Sequence, residues 1–246
     1  MHQATQQELL FPLTAAIPVY KIYESARRKK MLEILKNKNP DLKVYSVYDE
    51  EFKSFGRVIE NIDTTEIINV GEKIPMPETG VRYVPSEEEF EKLPIAEELQ
   101  KELFGTLPAQ LGYCHGHSSF LNAAEWHTSS EINIAITSMV LIMGHRWEIE
   151  NDKIDSSKFT AFYLPKGTVI ECFATTLHYC PCQVSDEGFG CAVGLPKDTN
   201  TALDDVLNDK LISAKNKWII CHEENQSAIA RGVTPGITGV NFEIKY

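Results

Sequence analysis

One stretch constrains this chain more than any other: residues 121–136, LNAAEWHTSSEINIAI, set Glu125, His127 and Glu131 into an otherwise apolar run. Ionisable groups are costly to bury without partners, so the fold has to gather them on one side and give them something to bind. In an extended strand alternate side chains share a face, which puts Glu125 and His127 together and Trp126 opposite. Thr128, Ser129 and Ser130 suit a turn, after which Glu131 returns to the same face while Ile132, Ile134 and Ile136 cover the other. Such a strand pair needs a polar cavity. Two carboxylates and an imidazole in it bind a metal ion in the first explanation; in the second they form an acid/base site without one.

The flanking sequence supports an enclosing sheet. From Gln110 to Leu195 short apolar runs such as INIAITSMVLIMGHRWEI and FGCAVGLP alternate with polar or glycine-containing turns, the pattern of a barrel or sandwich of antiparallel strands. Upstream, residues 1–22 read as a weakly patterned arm whose Leu9, Leu10, Phe11 and Leu13 could dock on a neighbouring surface. A helix is predicted from Glu24, with Met31, Leu32, Ile34 and Leu35 as its apolar stripe and Asn37 to Pro40 ending it. Its basic run, Arg27 to Lys30, reads as a solvated face.

A strand follows near Val44–Tyr48, then a short helix in EEFKSFG, and short strands with turns over residues 64–84. SEEEFEKLPIAEELQKELFG reads as one or two acidic helices ending at Gly105. The last fifty residues should add a helix around Ala202–Leu207, a strand KWIICH and a final NFEIKY, wrapping the barrel. The expected organisation is an arm and helix start over residues 1–30 and a single domain over 31–246, with the barrel core at about 110–200.

Charge and cysteine usage narrow the class. A formal charge of −11 argues against nucleic-acid binding, since phosphate contacts need a basic surface. LLFPLTAAIPVY is too short and too often interrupted by proline to span a bilayer. With no recognisable signal peptide and 246 residues, the six cysteines are expected as reduced thiols in a soluble cytoplasmic protein.

Two segments carry a family resemblance. EWHTSSE resembles the first cupin motif, in which two histidines one residue apart are followed by a glutamate. His127 matches the second histidine and Glu131 the glutamate, while Glu125 stands in place of the first histidine. LPKGTVIECFATTLHY resembles the second motif through Pro165 and Gly167; Ile170 stands where a histidine is usual, with Glu171 one residue later and His178 eight later. A bulge or turn at Ala174–Thr176 could bring His178 inward. The glutamate, any residue, histidine pattern, the proline and glycine turn and EEFKSFGRVIE are also similar to the ureidoglycolate lyase branch of cupins. More of the chain, notably GYCHGHSSFLNAAEWHTSSEINIA and ATTLHYCPC, is similar to a bacterial cupin-like family designated a domain of unknown function, DUF4867.

The resemblance implies a mainly β fold: a cupin-type double-stranded β-helix, or jelly-roll barrel, with N-terminal and C-terminal α/β decorations. It implies a site for one divalent metal ion (Zn, Mn, Fe or Ni), with Glu125, His127, Glu131 and His178 as ligands. Glu171 is a substitute ligand or general base, and Lys197 a contact for an acidic substrate at the barrel mouth. Mixed imidazole and carboxylate ligation suits these metals and leaves positions for water or substrate. The expected function is lyase or isomerase chemistry on a small polar metabolite, a sugar, sugar acid or ureido/hydroxy acid. The alternative is a non-catalytic binding or sensor module, and a homodimer is expected from the family habit. Against the metal reading stands a structural polar network of the same residues. His115 and His117 compete as ligands with a role as polar loop residues. Cys172, Cys180, Cys182 and Cys191 lack zinc-knuckle spacing and read as small buried residues.

Overall fold

Apolar residues fill both faces of the central strands, and a three-layered arrangement around a barrel accounts for it. The computed structural model describes residues 16–246, with side chains from residue 26; Leu9, Leu10, Phe11 and Leu13 lie outside the described residues. Helix α1 (Ala16–Lys38) starts upstream of the expected Glu24.

Strands β1 (Val44–Ser46) and β2 (Gly56–Ile59) flank a single 3-10 segment, Glu50–Ser54. Helix α2 (Thr65–Gly71), strand β3 (Val81–Val84), and helices α3 (Glu88–Glu91) and α4 (Pro94–Glu102) follow. The strand-rich middle begins with β4 (Ala109–Gly116), β5 (Ala123–Trp126), β6 (Glu131–Ala135) and β7 (Met139–His145). It continues with β8 (Ile154–Asp155), β9 (Thr160–Leu164), β10 (Val169–Cys172), β11 (Thr176–Leu177), β12 (Cys182–Gln183) and β13 (Phe189–Pro196). The C-terminal part holds β14 (Ile212–Ala214), β15 (Lys217–His222), α5 (Gln226–Ala230) and β16 (Pro235–Thr238).

Two sheets build the barrel. One runs β2-β10-β6-β13-β4-β3; the other runs β1-β9-β7, with β11 and β12 pairing β7. Their inner faces share Leu141 and Met143, Phe162 and Leu164, Ile170, and Val193 and Leu195. This is the jelly-roll barrel expected of the sequence, and it draws on β1, β2 and β3 from ahead of residue 110 as well as on the central segment. The outer face of the larger sheet packs Ile132, Ile134 and Val169 against Ile67, Phe90, Ile95 and Leu99 of α2, α3 and α4. The outer face of the smaller packs Val140, Ile142 and Ala161 against Leu35 of α1 and a third sheet, β14-β15-β16-β8, with β5 on β15. Burial on both faces is why INIAITSMVLIM reads as nearly continuous apolar sequence rather than as alternation. Each such Ile or Leu contributes about 1.5–3 kcal/mol.

Local expectations fail where side-chain packing overrides pattern. Residues 65–71 form α2 rather than a strand, because Ile67 and Gly71, one helical turn apart, are both buried against the larger sheet. No helix forms at Ala202–Leu207: Val206 and Leu207 are exposed there, so no apolar face has anything to cover. The C-terminal helix is α5, whose N-cap Asn225 side chain accepts from Ala228 N at 3.1 Å. NFEIKY contributes a single bridge, Glu243 to Phe120. The Pro165–Thr168 turn does form, with Thr168 N donating to Pro165 O at 3.1 Å and Gly167 at φ +83, and it delivers β10 antiparallel onto β6.

Candidate metal centre

Strand alternation places the first residues of the site. Ala124 and Trp126 of β5 enter the core beside β7, which leaves Glu125 and, past the strand end, His127 on the opposite side. The Thr128–Ser130 turn reverses the chain into β6. There Ile132, Ile134 and Ile136 face the helices, while Glu131 and Asn133 face inward with Cys172 and Ile170 as their β10 partners. β5 itself is not a barrel strand: it pairs antiparallel with β15, Glu125 opposite Ile219. The site therefore lies where the larger barrel sheet meets the C-terminal sheet.

His178 arrives by a different route. After β10 the chain turns at Ala174–Thr175, passes through β11, and bridges to β5, with Glu125 N donating to His178 O at 2.6 Å and His178 N to Glu125 O at 3.0 Å. One donor atom from each of Glu125, His127, Glu131 and His178 lies within 4.8 Å of all the others, and all four residues are buried. Nε2 of His127 and Nε2 of His178 are each 3.3 Å from the same oxygen, Oε2 of Glu131. The other Glu131 oxygen accepts from Asn133 Nδ2 at 3.0 Å.

The histidine orientations say what belongs between them. Nδ1 of His127 is 2.7 Å from the Asn216 carbonyl and Nδ1 of His178 is 3.1 Å from the Thr176 carbonyl. A carbonyl oxygen can only accept, so both rings carry a proton on Nδ1. In the neutral ring Nε2 then offers a lone pair, and both lone pairs are aimed at a carboxylate oxygen with no hydrogen-bond partner of their own. Acceptor facing acceptor is repulsive; a cation among them, or an added proton, turns it into attraction. This backbone-anchored Nδ1–H with a free Nε2 is how proteins present histidine to a metal. Adjacent donors on one ion with bonds of about 2.1 Å stand roughly 3–3.5 Å apart, and each Nε2 stands at 3.3 Å from the Glu131 oxygen.

Electrostatics in the protein alone show the same tension. Burial lowers the affinity of His178 for a proton, but the Glu131 charge beside it, the hydrogen bond to Glu131 that only the protonated ring can donate, and then Glu125 push the pKa up to about 9. Burial raises the Glu131 carboxyl, yet His178 and His127 hold it well below the usual carboxylate range. Glu125 forms a buried ion pair with Lys217; burial disfavours the ammonium, and the Glu125 charge overrides it to raise Lys217. Cys172 and Cys191, on the barrel interior near Glu131, are pushed up by burial first and then by the Glu131 charge, so they stay thiols. All six cysteines are free.

Glu171 and Lys197 are not brought to this cluster. Alternation on β10 turns Ile170 and Cys172 inward and Glu171 outward, where its carboxylate pairs with Arg57 Nε at 2.6 Å. Lys197 is exposed beyond the end of β13. His115 shares the outward face of β4 with Tyr113, on which it stacks at 4.2 Å, and His117 Nδ1 lies 3.2 Å from Gln183 Oε1. His145 stacks between Phe55 and Trp147, each at 4.0 Å, and His222 Nε2 is 3.2 Å from the Gly239 carbonyl.

Residues that pattern reading missed complete a cavity of about 110 Å³ beside the cluster, among them Tyr83, Asn133, Asn200 and Lys217. Asn133 was legible, since it shares the inward face of β6 with Glu131 two residues away. Lys217 carried a weaker signal as a charge at the head of the apolar strand KWIICH. Tyr83 and Asn200 had none: their 3.0 Å hydrogen bond joins residues 117 apart in the chain. The turn between β14 and β15 does double duty, because Asn216, at φ +54, holds His127 through its carbonyl while Lys217 beside it holds Glu125.

Among solved structures, the chain is similar to iron-bound HygX from Streptomyces hygroscopicus, with 9% identity and TM-score 0.44 over 72% of this chain and 96% of that one. It is similar to SnoN, a non-heme alpha ketoglutarate dependent epimerase from nogalamycin biosynthesis, with 13% identity and TM-score 0.41 over 77% and 93%. A mutant of Bacillus subtilis oxalate decarboxylase OxdC matches with 12% identity and TM-score 0.32 over 53% of this chain, which spans only 29% of that protein's length. No curated protein matches the sequence. No helix among the described residues is long and apolar enough to cross a membrane. The family model described as "Domain of unknown function (DUF4867)" matches residues 44–242, most of the chain and the whole of the site, and the chain belongs to that family.

Proposed function

We propose that this protein is a metal-dependent cupin enzyme that acts on a small polar metabolite, a sugar, sugar acid or ureido/hydroxy acid, by lyase or isomerase chemistry. Glu125, His127, Glu131 and His178 would hold one divalent ion, Zn, Mn, Fe or Ni by the hardness of the donors. The observation that carries this reading is the pair of buried Nε2 atoms aimed at one Glu131 oxygen while both Nδ1 atoms are tied to backbone carbonyls. Such an ion, when bound, would supply Lewis acidity toward a substrate oxygen. Asn133 fixes the Glu131 carboxylate, burial keeps water scarce, and Lys217 and Tyr83 face the cavity as a cation and a hydroxyl that can hold or pass a proton. Glu171 and Lys197 take no part. The choice of lyase or isomerase rests on the resemblance of EWH and its later proline and glycine turn to ureidoglycolate lyase-type cupins. A cytoplasmic homodimer is part of the same proposal.

A second reading is favoured by the charge pairing itself. Glu125 with Lys217, and Glu131 with a protonated His178, are balanced without an ion, which would make this an acid/base or purely structural network. Metal analysis of purified protein separates the two. One ion per chain, lost in His127→Ala and Glu131→Ala, supports the metal centre; no ion in the wild type refutes it. Turnover of a sugar and sugar-acid panel, abolished in the same variants, separates an enzyme from a sensor that binds ion and ligand without converting them.

A further inference from the structure

The geometry points to a small α-hydroxy acid, bound as its carboxylate, as the ligand of the cavity beside the cluster. This assignment rests on the metal reading and adds the ligand class to it. The first argument is charge. With both imidazoles neutral, as metal ligands must be, Glu125 and Glu131 with Lys217 leave one negative charge, and a divalent ion among them turns that into one net positive charge in a buried site. An uncompensated buried charge is costly, and one negative charge on the ligand cancels it.

The second argument is the position of the polar groups. Lys217 reaches the cavity with its side chain only 19% exposed, and its ammonium has donors beyond the one directed at Glu125. Tyr83 lines the same cavity, and its hydroxyl oxygen accepts from Asn200 Nδ2 at 3.0 Å, which leaves its own proton for an acceptor on the ligand. Burial first, and then the Glu131 charge, raise this phenol beyond the tyrosine range, so it remains a donor. The other amide atom of Asn200, Oδ1, is buried in the cavity wall without a partner. A ligand hydroxyl, able to donate and accept, satisfies that atom.

The third argument is size. A cavity of about 110 Å³ is smaller than the roughly 150 Å³ that accommodates a benzene-sized ligand, which matches an acid of two to four carbons rather than a whole sugar ring. Tyr179 and Cys180 line both this cavity and a cleft of about 870 Å³, so a longer ligand has somewhere to extend.

The test uses the full chain loaded with Mn²⁺, its ion content measured first, and calorimetric titration with glycolate, with its neutral isostere glycolamide, and with acetate. Glycolate should bind the loaded protein roughly tenfold or more tightly than either comparison compound, and should not bind the metal-free protein. Lys217→Met should weaken glycolate by a similar factor and leave glycolamide unchanged. It should bind Mn²⁺ at least as tightly as the wild type, because a cation beside a carboxylate ligand is gone; Lys217→Arg should restore part of the glycolate affinity. Should Lys217→Met not fold, Tyr83→Phe and the glycolate to glycolamide ratio on the wild type carry the test. Loaded protein that binds glycolamide as well as glycolate, or whose glycolate affinity is indifferent to Lys217, overturns this assignment alone. A wild type that takes up no Mn²⁺ overturns the metal centre and the assignment with it.

Discussion

Exchanging Glu131 for glutamine tests the centre with the least collateral change. The substitution keeps shape and volume, and Asn133 Nδ2, 3.0 Å from Oε1, still finds an oxygen to donate to. What it removes is the negative charge 3.3 Å from both Nε2 atoms. If Mn²⁺ is supplied at about one hundred times its dissociation constant, the wild type gains about 2.7 kcal/mol of stability. For a chain of this size that is a rise in Tm of roughly 5–10 °C. An amide oxygen is a far poorer ligand than a carboxylate for such ions, and a loss of about one hundredfold in affinity would leave the variant only half saturated at the same concentration. Its gain then drops to about 0.4 kcal/mol, or near 1 °C. The assay is thermal unfolding of both proteins with Mn²⁺ and with chelator, at fixed protein concentration. Equal metal-induced shifts in wild type and Glu131→Gln, or no shift in the wild type, would refute the reasoning.

Other expectations follow from particular contacts. In the metal-free protein, His178, raised to about 9 from its ordinary 6.5, contributes stability that is present in full below pH 6.5 and is lost as pH rises through 9. With Mn²⁺ bound, the metal-dependent part of the stability should instead grow with pH as protons stop competing; denaturant melts across this range, with and without chelator, check both slopes. Glu171→Gln and Lys197→Met should leave metal content unchanged by elemental analysis, and loss of the partly exposed Arg57–Glu171 pair should cost no more than about 1 kcal/mol. Ile134→Ala, at a fully buried position on the back of β6, should cost about 2–5 kcal/mol in a chemical melt, while the folded fraction keeps its ion stoichiometry.

Period-two alternation explains how much of the site could be read from the chain. Glu125, His127 and Glu131 sit within seven residues, two strands joined by a Thr-Ser-Ser turn, and strand geometry alone dictates that they share a side with Trp126 and the isoleucines turned away. The Pro165–Gly167 turn was legible for the same local reason, since a φ of +83 calls for glycine. Alternation also fixes Glu171, but only once Ile170 is known to face the barrel interior, and a sequence does not say which face of a strand buried on both sides is the inside.

The sequence by itself determined the strand-rich class, as a barrel or sandwich of antiparallel strands, and a buried cluster of two carboxylates and an imidazole, because these follow from hydrophobic patterning and from the cost of burying charge; the choice of a barrel came from the family resemblance. Tertiary structure alone decided the rest. Asn216 orients His127 across 89 residues, Lys217, Tyr83 and Asn200 close the cavity from strands and loops remote in the chain, and His178, named as a ligand through the family resemblance, reaches the site by a bridge to Glu125. Each of those contacts depends on how separate sheets dock, and docking is set by the summed packing of many side chains, which no local pattern encodes.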